Sequence, residues 1–382
     1  MLTALLLGAG ASRELGMPLR EELNAEILAW LNPTSLRKIN LAWRARGFGH
    51  PDRVIDDLVR VLESGHFDYE ALLGEWEEQY IAGAGGARGA SYHGLYAWLA
   101  QVVSLALYRR QVSHRDTFQD GLPYFAGIVP LVRDNAPLWV FSLNHDVLVE
   151  CLAAHFGIPV SCGFSSRTIS LPCRRSPGTI VAALQASVLG ETELANAGLA
   201  FFPPGTSGIN LLKIRGALDV FAFGEGHDLL KLQPADQTFD AIIDALQIAN
   251  EGLLDPGLSP DPLSVTNQIP YIDQNDERQV LRRTLLASAV RLTDPYPQLM
   301  QRRFLEYFRA NLDQIDRLVA IGCAMGDADV NEIIQDWLAS SNHRQLEIVA
   351  PRVQEFPACF GPMASQITLT PSSTTTYLER FV

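Results

Sequence analysis

Several things are scarce in this 382-residue chain, and each scarcity removes a class of function. The five cysteines, Cys151, Cys162, Cys173, Cys323 and Cys359, are scattered without a single CxxC pair. Structural zinc held by paired cysteines is therefore excluded, and no metal site is expected. An odd, dispersed set points instead to reduced thiols packed as small buried hydrophobes. Positive charge is short as well: 30 Lys and Arg stand against 43 Asp and Glu, a net charge of −13 with no basic run to offset it. Direct binding to nucleic acid or to an anionic membrane is not expected of such a chain. No uncharged apolar run approaches the ~20 residues of a membrane-spanning helix. No basic leader precedes the first apolar run, so a cytoplasmic location is expected. Two nucleotide-binding signatures are also incomplete. GxGxxG would need glycine at Arg13, and no Gly-Lys-Ser/Thr follows the first glycines, which leaves an ordinary dehydrogenase or a P-loop ATPase a poor match.

What is present is enough to build a core: 47% of residues are apolar and 19% charged. The chain opens with "LLLGAGASRELGMP", an apolar run stopping in Gly8-Ala9-Gly10-Ala11-Ser12. A strand, a turn without bulk and then a helix form a common phosphate cradle, in which free N–H groups favour anionic oxygens. The same glycines could serve turn geometry alone. Six short apolar runs bounded by turn residues are predicted as strands: Thr3–Leu7, Leu138–Ser142, Ile158–Ser161, Leu211–Ile214, Leu318–Ile321 and Leu346–Val349. Such runs suit parallel strands buried on both faces, and helical stretches separate them. The expected fold class is α/β, a Rossmann-like doubly wound parallel sheet with a large helical insertion, in a single domain over residues 1–382. The helical insertion is placed at residues 20–125, where Tyr92, Leu95, Tyr96, Leu99, Val103 and Ala106 share one helix face. A second, irregular insertion is placed at residues 224–297, with turns such as "LLDPGLSPDP".

Chemistry-bearing residues gather where these strands stop. "LWVFSLNHDVLVE" ends its strand at Ser142 and continues into Asn144, His145 and Asp146. Asp146 is a natural N-cap for the helix that follows. Asn144 offers an amide donor and acceptor suited to ribose hydroxyls or a water. "LLKIRGALDVFAF" runs from a strand into a turn centred on Gly216. "LVAIGCAMGDADVNEIIQDWL" ends its strand at Gly322 and carries Gly326, Asp327 and Asp329 before a helix. Asp329 with Glu332 makes a D-x-x-E capping box, so Asp329 reads as structural and Asp327 as the ligand contact.

In this order the four islands resemble the sirtuin superfamily. "GAGAS…GMP" is similar to its Gly-Ala-Gly nucleotide loop, "SLNHD" to its Asn- and Asp-bearing strand end, and "KIRGALD" to its Lys-x-His-Gly segment. "GCAMGDADVNEII" resembles its late segment beside the adenosine. The resemblance implies NAD as substrate, held by Gly8, Ala9, Gly10, Ser12, Asn144, Gly322 and Asp327. Asn144, Asp146 and the residue at 215 would carry the chemistry. Missing zinc and the sequence "DYEALLGEWEEQY" are more similar to the bacterial antiphage-defence branch than to the deacylases. That branch hydrolyses NAD to deplete the infected cell, and several members pair with a HerA-type hexameric ATPase. A homo-oligomer, with a HerA-type partner, is the implied assembly. Where the family has its catalytic histidine, this chain has Arg215. A guanidinium cannot accept a proton near neutral pH, and its charge opposes the cation developing on the ribose. Arg215 is thus expected either to impair hydrolysis, leaving an NAD- or ADP-ribose-binding scaffold or sensor, or to turn onto a pyrophosphate or carboxylate while His145 or Asp146 serves the water.

The cysteine spacing carries a direct test. Elemental analysis of the purified protein is expected to find no stoichiometric zinc, and one zinc per chain would overturn the reading.

Overall fold

The computed structural model describes the chain except residues 46, 48, 84–85, 177–178, 224–227, 254–267, 274 and 285–294. Its centre is a seven-stranded sheet whose neighbouring strands are all parallel. Six of its strands are those expected, with small shifts at the ends. They are β1 (Thr3–Leu7), β2 (Leu138–Ser142), β3 (Val160–Ser161), β6 (Ile209–Lys213), β11 (Arg317–Ile321) and β12 (Gln345–Val349). The seventh is β13 (Ile367–Thr370), an edge strand that pairs with β12. Its sequence, ITLT, is half polar and only partly buried, so it lacks the apolar run that marks the others.

The strand order is β13-β12-β11-β1-β2-β6-β3. From β1 the chain passes to β2 on one side, and only much later returns to β11 on the other. The reversal between β1 and β11 opens a crevice at the carboxyl ends of the two strands, the usual ligand position in open α/β sheets. Every residue of β1 is buried, as a strand covered on both faces requires.

Between β1 and β2 the described residues are helical: α1 (Arg20–Trp30), α2 (Pro33–Ala45), α3 (Asp52–Glu63), α4 (Tyr69–Ala82), α5 (Ala87–Ser113), α6 (Arg115–Gly121) and α7 (Ile128–Asp134). Within α5, Leu95, Leu99, Val103 and Ala106 are buried against the rest of the core, as their common face demands. The remaining helices are α8 (Leu148–Phe156), α9 (Phe239–Gln247), α10 (Pro295–Leu312), α11 (Ala328–Ala339) and α12 (Thr374–Leu378). No helix among the described residues is long and apolar enough to cross a membrane.

The expectation of an irregular insertion at residues 224–297 needs correction. A second, six-stranded antiparallel sheet runs β4-β5-β8-β7-β10-β9. It draws on β4 (Thr168–Ser176), β5 (Thr179–Leu189), β7 (Val220–Phe223), β8 (Asp228–Gln233), β9 (Gln268–Ile272) and β10 (Arg278–Arg283). Half of these strands and α9 lie inside the span expected to be irregular. The turn "LLDPGLSPDP" falls outside the described residues from position 254 onward. This sheet was hidden because its strands carry proline and charge (Pro172, Pro270, Arg278, Arg282), and because its hairpins β4–β5, β7–β8 and β9–β10 join one another only through segments far apart in sequence. β7, for example, lies between β8 and β10.

The crossing of two loops at the crevice demands glycine. A Cβ on Gly322, whose φ is +63°, would lie 2.2 Å from the Ala11 nitrogen, whereas one on Gly326 would meet nothing within 4 Å. Gly322→Ala is expected to lower stability through both left-handed strain, ~1–3 kcal/mol, and overpacking of similar size. Gly326→Ala should stay within ~0.5 kcal/mol. Thermal melts of the two variants against the parent check this, and equal melts would refute the tight crossing.

Candidate functional site

The residues singled out by sequence converge at the carboxyl ends of β1, β2, β6 and β11. After β1 the chain makes two 3₁₀ turns, Ala9–Ala11 and Arg13–Leu15, and α1 begins only at Arg20. The expected cradle of free N–H groups at a helix start takes a different form here. The Gly8 N–H donates to the Ile321 carbonyl at 3.0 Å, and the Gly10 N–H to the Gly322 carbonyl at 2.9 Å. These glycines serve the close approach of two backbones: a Cβ on Gly10 would sit 2.8 Å from the Gly322 Cα. Ala9 is exposed, and Gly10 and Gly322 are half-buried at the crevice.

Ser12, Asn144 and Asp146 form one hydrogen-bonded array, all three buried. The Asn144 amide donates to the Gly8 carbonyl at 2.9 Å and to Ser12 Oγ at 3.2 Å. Ser12 Oγ in turn donates to Asp146 Oδ2 at 2.5 Å. The other Asp146 oxygen accepts from the Leu148 N–H at 3.0 Å, which holds the start of α8. Burial pushes the Asp146 carboxyl above its ordinary value, against the opposing pull of Lys213 and the Ser12 hydroxyl. The array locks the first loop of the chain to the end of β2 across 132 to 136 residues of sequence.

Arg215 does turn onto carboxylates. Its guanidinium grips Asp327 with two hydrogen bonds, the Nε one at 2.7 Å, and reaches Asp329 Oδ2 at 3.2 Å. Arg215 and Asp327 are both buried. The roles read for the two aspartates are exchanged here. Asp327, taken as a ligand contact, is the N-cap of α11 and accepts from the Val330 N–H at 3.2 Å. Asp329, taken as the cap, is exposed in the first turn and completes the ion pair. The reason is positional: α11 starts at Ala328, directly after Asp327, and two residues too early for a cap at Asp329.

A second charged group escaped sequence reading. Lys213 at the end of β6 pairs with Glu150 of α8 at 3.1 Å and donates to the Asp146 carbonyl. Lys231 of β8 pairs with the same Glu150 oxygen at 2.9 Å and with Asp219. All four side chains are largely buried, and together they join the parallel sheet to the antiparallel one. The two ammonium groups hold the Glu150 carboxyl below the usual carboxylate range, although burial alone would raise it. Lysines inside apolar runs, as in "LLKI" and "LLKLQ", were the available signal, but nothing in one sequence pairs them. Among the described residues no cluster of His, Cys, Asp and Glu is arranged to hold a metal ion.

Removing Lys231 would take the paired cation from buried Asp219 and leave buried Glu150 with Lys213 alone. Lys231→Met is expected to cost ~3–5 kcal/mol at neutral pH, read from the urea midpoint. Because the folded Glu150 carboxyl is depressed, its contribution is present above its unfolded value and lost as the pH falls through the acid range. The deficit of the variant should therefore shrink on acidification, and a pH-independent deficit would point to lost packing instead.

No family model matches the chain, and no curated protein matches its sequence. Among solved structures it is similar to a Sir2 enzyme described for the mechanism and regulation of that class, at a TM-score of 0.42 and 12% identity over 99% of this chain and 89% of that one. A Sir2 homologue in complex with NAD matches at 0.42 and 11%, over 100% of this chain and 87% of the other. A mutant Sir2 homologue in complex with ADP-ribose matches at 0.39 and 10%, over 100% and 90%. The α/β fold class of this chain rests on its own strand order, a parallel seven-stranded sheet with its order reversed beside β1.

Proposed function

We propose that this chain binds NAD across the carboxyl ends of its parallel strands and hydrolyses the bond between nicotinamide and ribose. The observation that carries the reading is the buried Ser12–Asn144–Asp146 array, seated beside the β1/β11 crevice. Cleavage of such a bond passes through an oxocarbenium-like ribose, as in glycoside hydrolysis. An anion held near that ribose stabilises it, and Asp146 is the carboxylate of the array. The charge of Arg215, expected to oppose the developing cation, is offset here by Asp327 and Asp329. The resemblance of the long helical insertion and of "DYEALLGEWEEQY" to sirtuin-like antiphage-defence proteins supports a role as an NAD-depleting effector in bacterial defence. The same resemblance supports a cytoplasmic homo-oligomer that docks onto a HerA-type hexameric ATPase.

A second reading has its own observation. Arg215 stands where the family has a proton acceptor, and a guanidinium stays protonated. The chain would then bind NAD or ADP-ribose without turnover, as a scaffold or sensor subunit.

One preparation separates the two. ADP-ribose titration is expected to show binding, and chromatography of an NAD incubation is expected to show nicotinamide. Asn144→Ala should reduce its release by ~10²-fold or more, and light scattering should report a species larger than a monomer. Binding without nicotinamide release would select the scaffold, and no binding would sink both readings.

A further inference from the structure

Hydrolysis needs a group that takes the proton of the attacking water, and the residues around the strand ends differ in whether they can. Arg215 is a permanent cation committed to Asp327 and Asp329. Both Asp146 oxygens already accept, one from Ser12 and one from the Leu148 N–H. The Asn144 amide nitrogen is a donor, spent on Gly8 and Ser12.

His145 is arranged otherwise. Its carbonyl accepts from the Leu218 N–H at 2.8 Å, which pins the Asn144–Asp146 loop to the turn after β6. Its ring contacts the Gly216 backbone. The Nδ1 atom is enclosed and has no hydrogen-bond partner in the protein. An orphaned nitrogen of this kind is uncommon, because a buried polar group without a partner costs ~1–3 kcal/mol. The ring lines a small cavity of about 10 Å³, walled also by Ser104 of α5, Ala217, Leu218, Asn250, Arg283 and Thr284. That is room for about one water, in a lining that mixes the polar groups of His145, Ser104, Asn250 and Thr284 with apolar surface. Burial, with the charges of Lys213 and Arg215 adding to it, brings the imidazole down to about 4, so at neutral pH it carries a free lone pair.

We propose that His145, through Nδ1, is the proton acceptor of the hydrolysis, and that the cavity before it seats the attacking water. The proposal rests on the NAD-hydrolase reading. In the step, the bond between ribose C1′ and the nicotinamide nitrogen breaks, and its electron pair neutralises the pyridinium ring. The water oxygen bonds to C1′, and its proton passes to His145 Nδ1 and then to solvent. The products are ADP-ribose and nicotinamide, with one proton released. His145 thereby does the work that Arg215 cannot.

The test uses the full chain with His145→Gln and His145→Ala, each measured for nicotinamide release and for ADP-ribose affinity. Both variants are expected to lose ~10²–10⁴-fold in turnover, the range of one positioned acid–base group, while ADP-ribose affinity stays within about threefold. Free imidazole, which matches the removed ring, should restore part of the turnover of His145→Ala. Turnover of His145→Ala within about threefold of the parent, whose own turnover is intact, would overturn the proposal and leave the hydrolase reading standing. Loss of ADP-ribose affinity in both variants alongside turnover would make His145 structural and overturn it as well. A parent chain that binds ADP-ribose but releases no nicotinamide would overturn the hydrolase reading, and His145 as base with it. In a structure of the ADP-ribose complex, ribose C1′ lying further than one bridging water from Nδ1 would also refute the role.

Discussion

The close crossing of the Gly8–Ala11 backbone over Gly322 and Cys323 is the contact on which the rest of this site depends. It occurs where the sheet reverses order, so it joins the first strand of the fold to one of the last. The two N–H groups of Gly8 and Gly10 are satisfied by the carbonyls of Ile321 and Gly322, which extends the β1–β11 ladder beyond the strands. With the first loop held there, Ser12 can reach Asp146 and the Gly8 carbonyl can receive the Asn144 amide. Side chains on these glycines would separate the loops and pull the array apart. The crevice is thus shaped by backbone against backbone, with little bulk at its floor.

Charge is buried on both sides of that crossing, and in both places it is paired. Arg215 is held by two aspartates at the start of α11, while Lys213 and Lys231 share Glu150 between the sheets. Buried ion pairs seldom add much net stability, because desolvation offsets the attraction. Their consequence here is positional. The lysine network draws β8 against β6 and α8, and Lys213 also steadies the Asp146 carbonyl. The arginine pair ties the turn after β6 to the helix after β11. The loop bearing Asn144, His145 and Asp146 is therefore gripped from the first strand, from β6 and from the antiparallel sheet.

The carboxyl end of the chain closes the other flank. Glu347 of β12 accepts from Arg317, Thr370 and the Tyr377 hydroxyl, which fastens α12 to the sheet. From there Thr375 reaches Glu14 at 2.8 Å and Thr374 reaches the Gly10 carbonyl at 3.5 Å. The first loop is consequently braced by residues more than 360 positions away.

Much of this was legible in the sequence. Short apolar runs bounded by turn residues mark β1 and β2 at their observed limits, because a strand buried on both faces is apolar along most of its length. Glycines and polar residues after those runs marked the strand ends, and Ser12, Asn144, Asp146 and Gly322 do meet there. The antiparallel sheet was not legible, because its strands mix charge with apolar residues and its three hairpins are joined only by the long-range pairings of β5 with β8 and β7 with β10. Nor could local pattern decide between Asp327 and Asp329 as the helix cap, since both precede an apolar periodic stretch and only the path of the backbone selects one. The sequence by itself determined which residues stand at the strand ends. Tertiary structure decided what each of them holds: Arg215 its aspartates, Lys213 and Lys231 one glutamate, and His145 an enclosed nitrogen without a partner. Those pairings join segments about 60 to 115 residues apart, and charge and hydrogen bonding act through space, which no local pattern records.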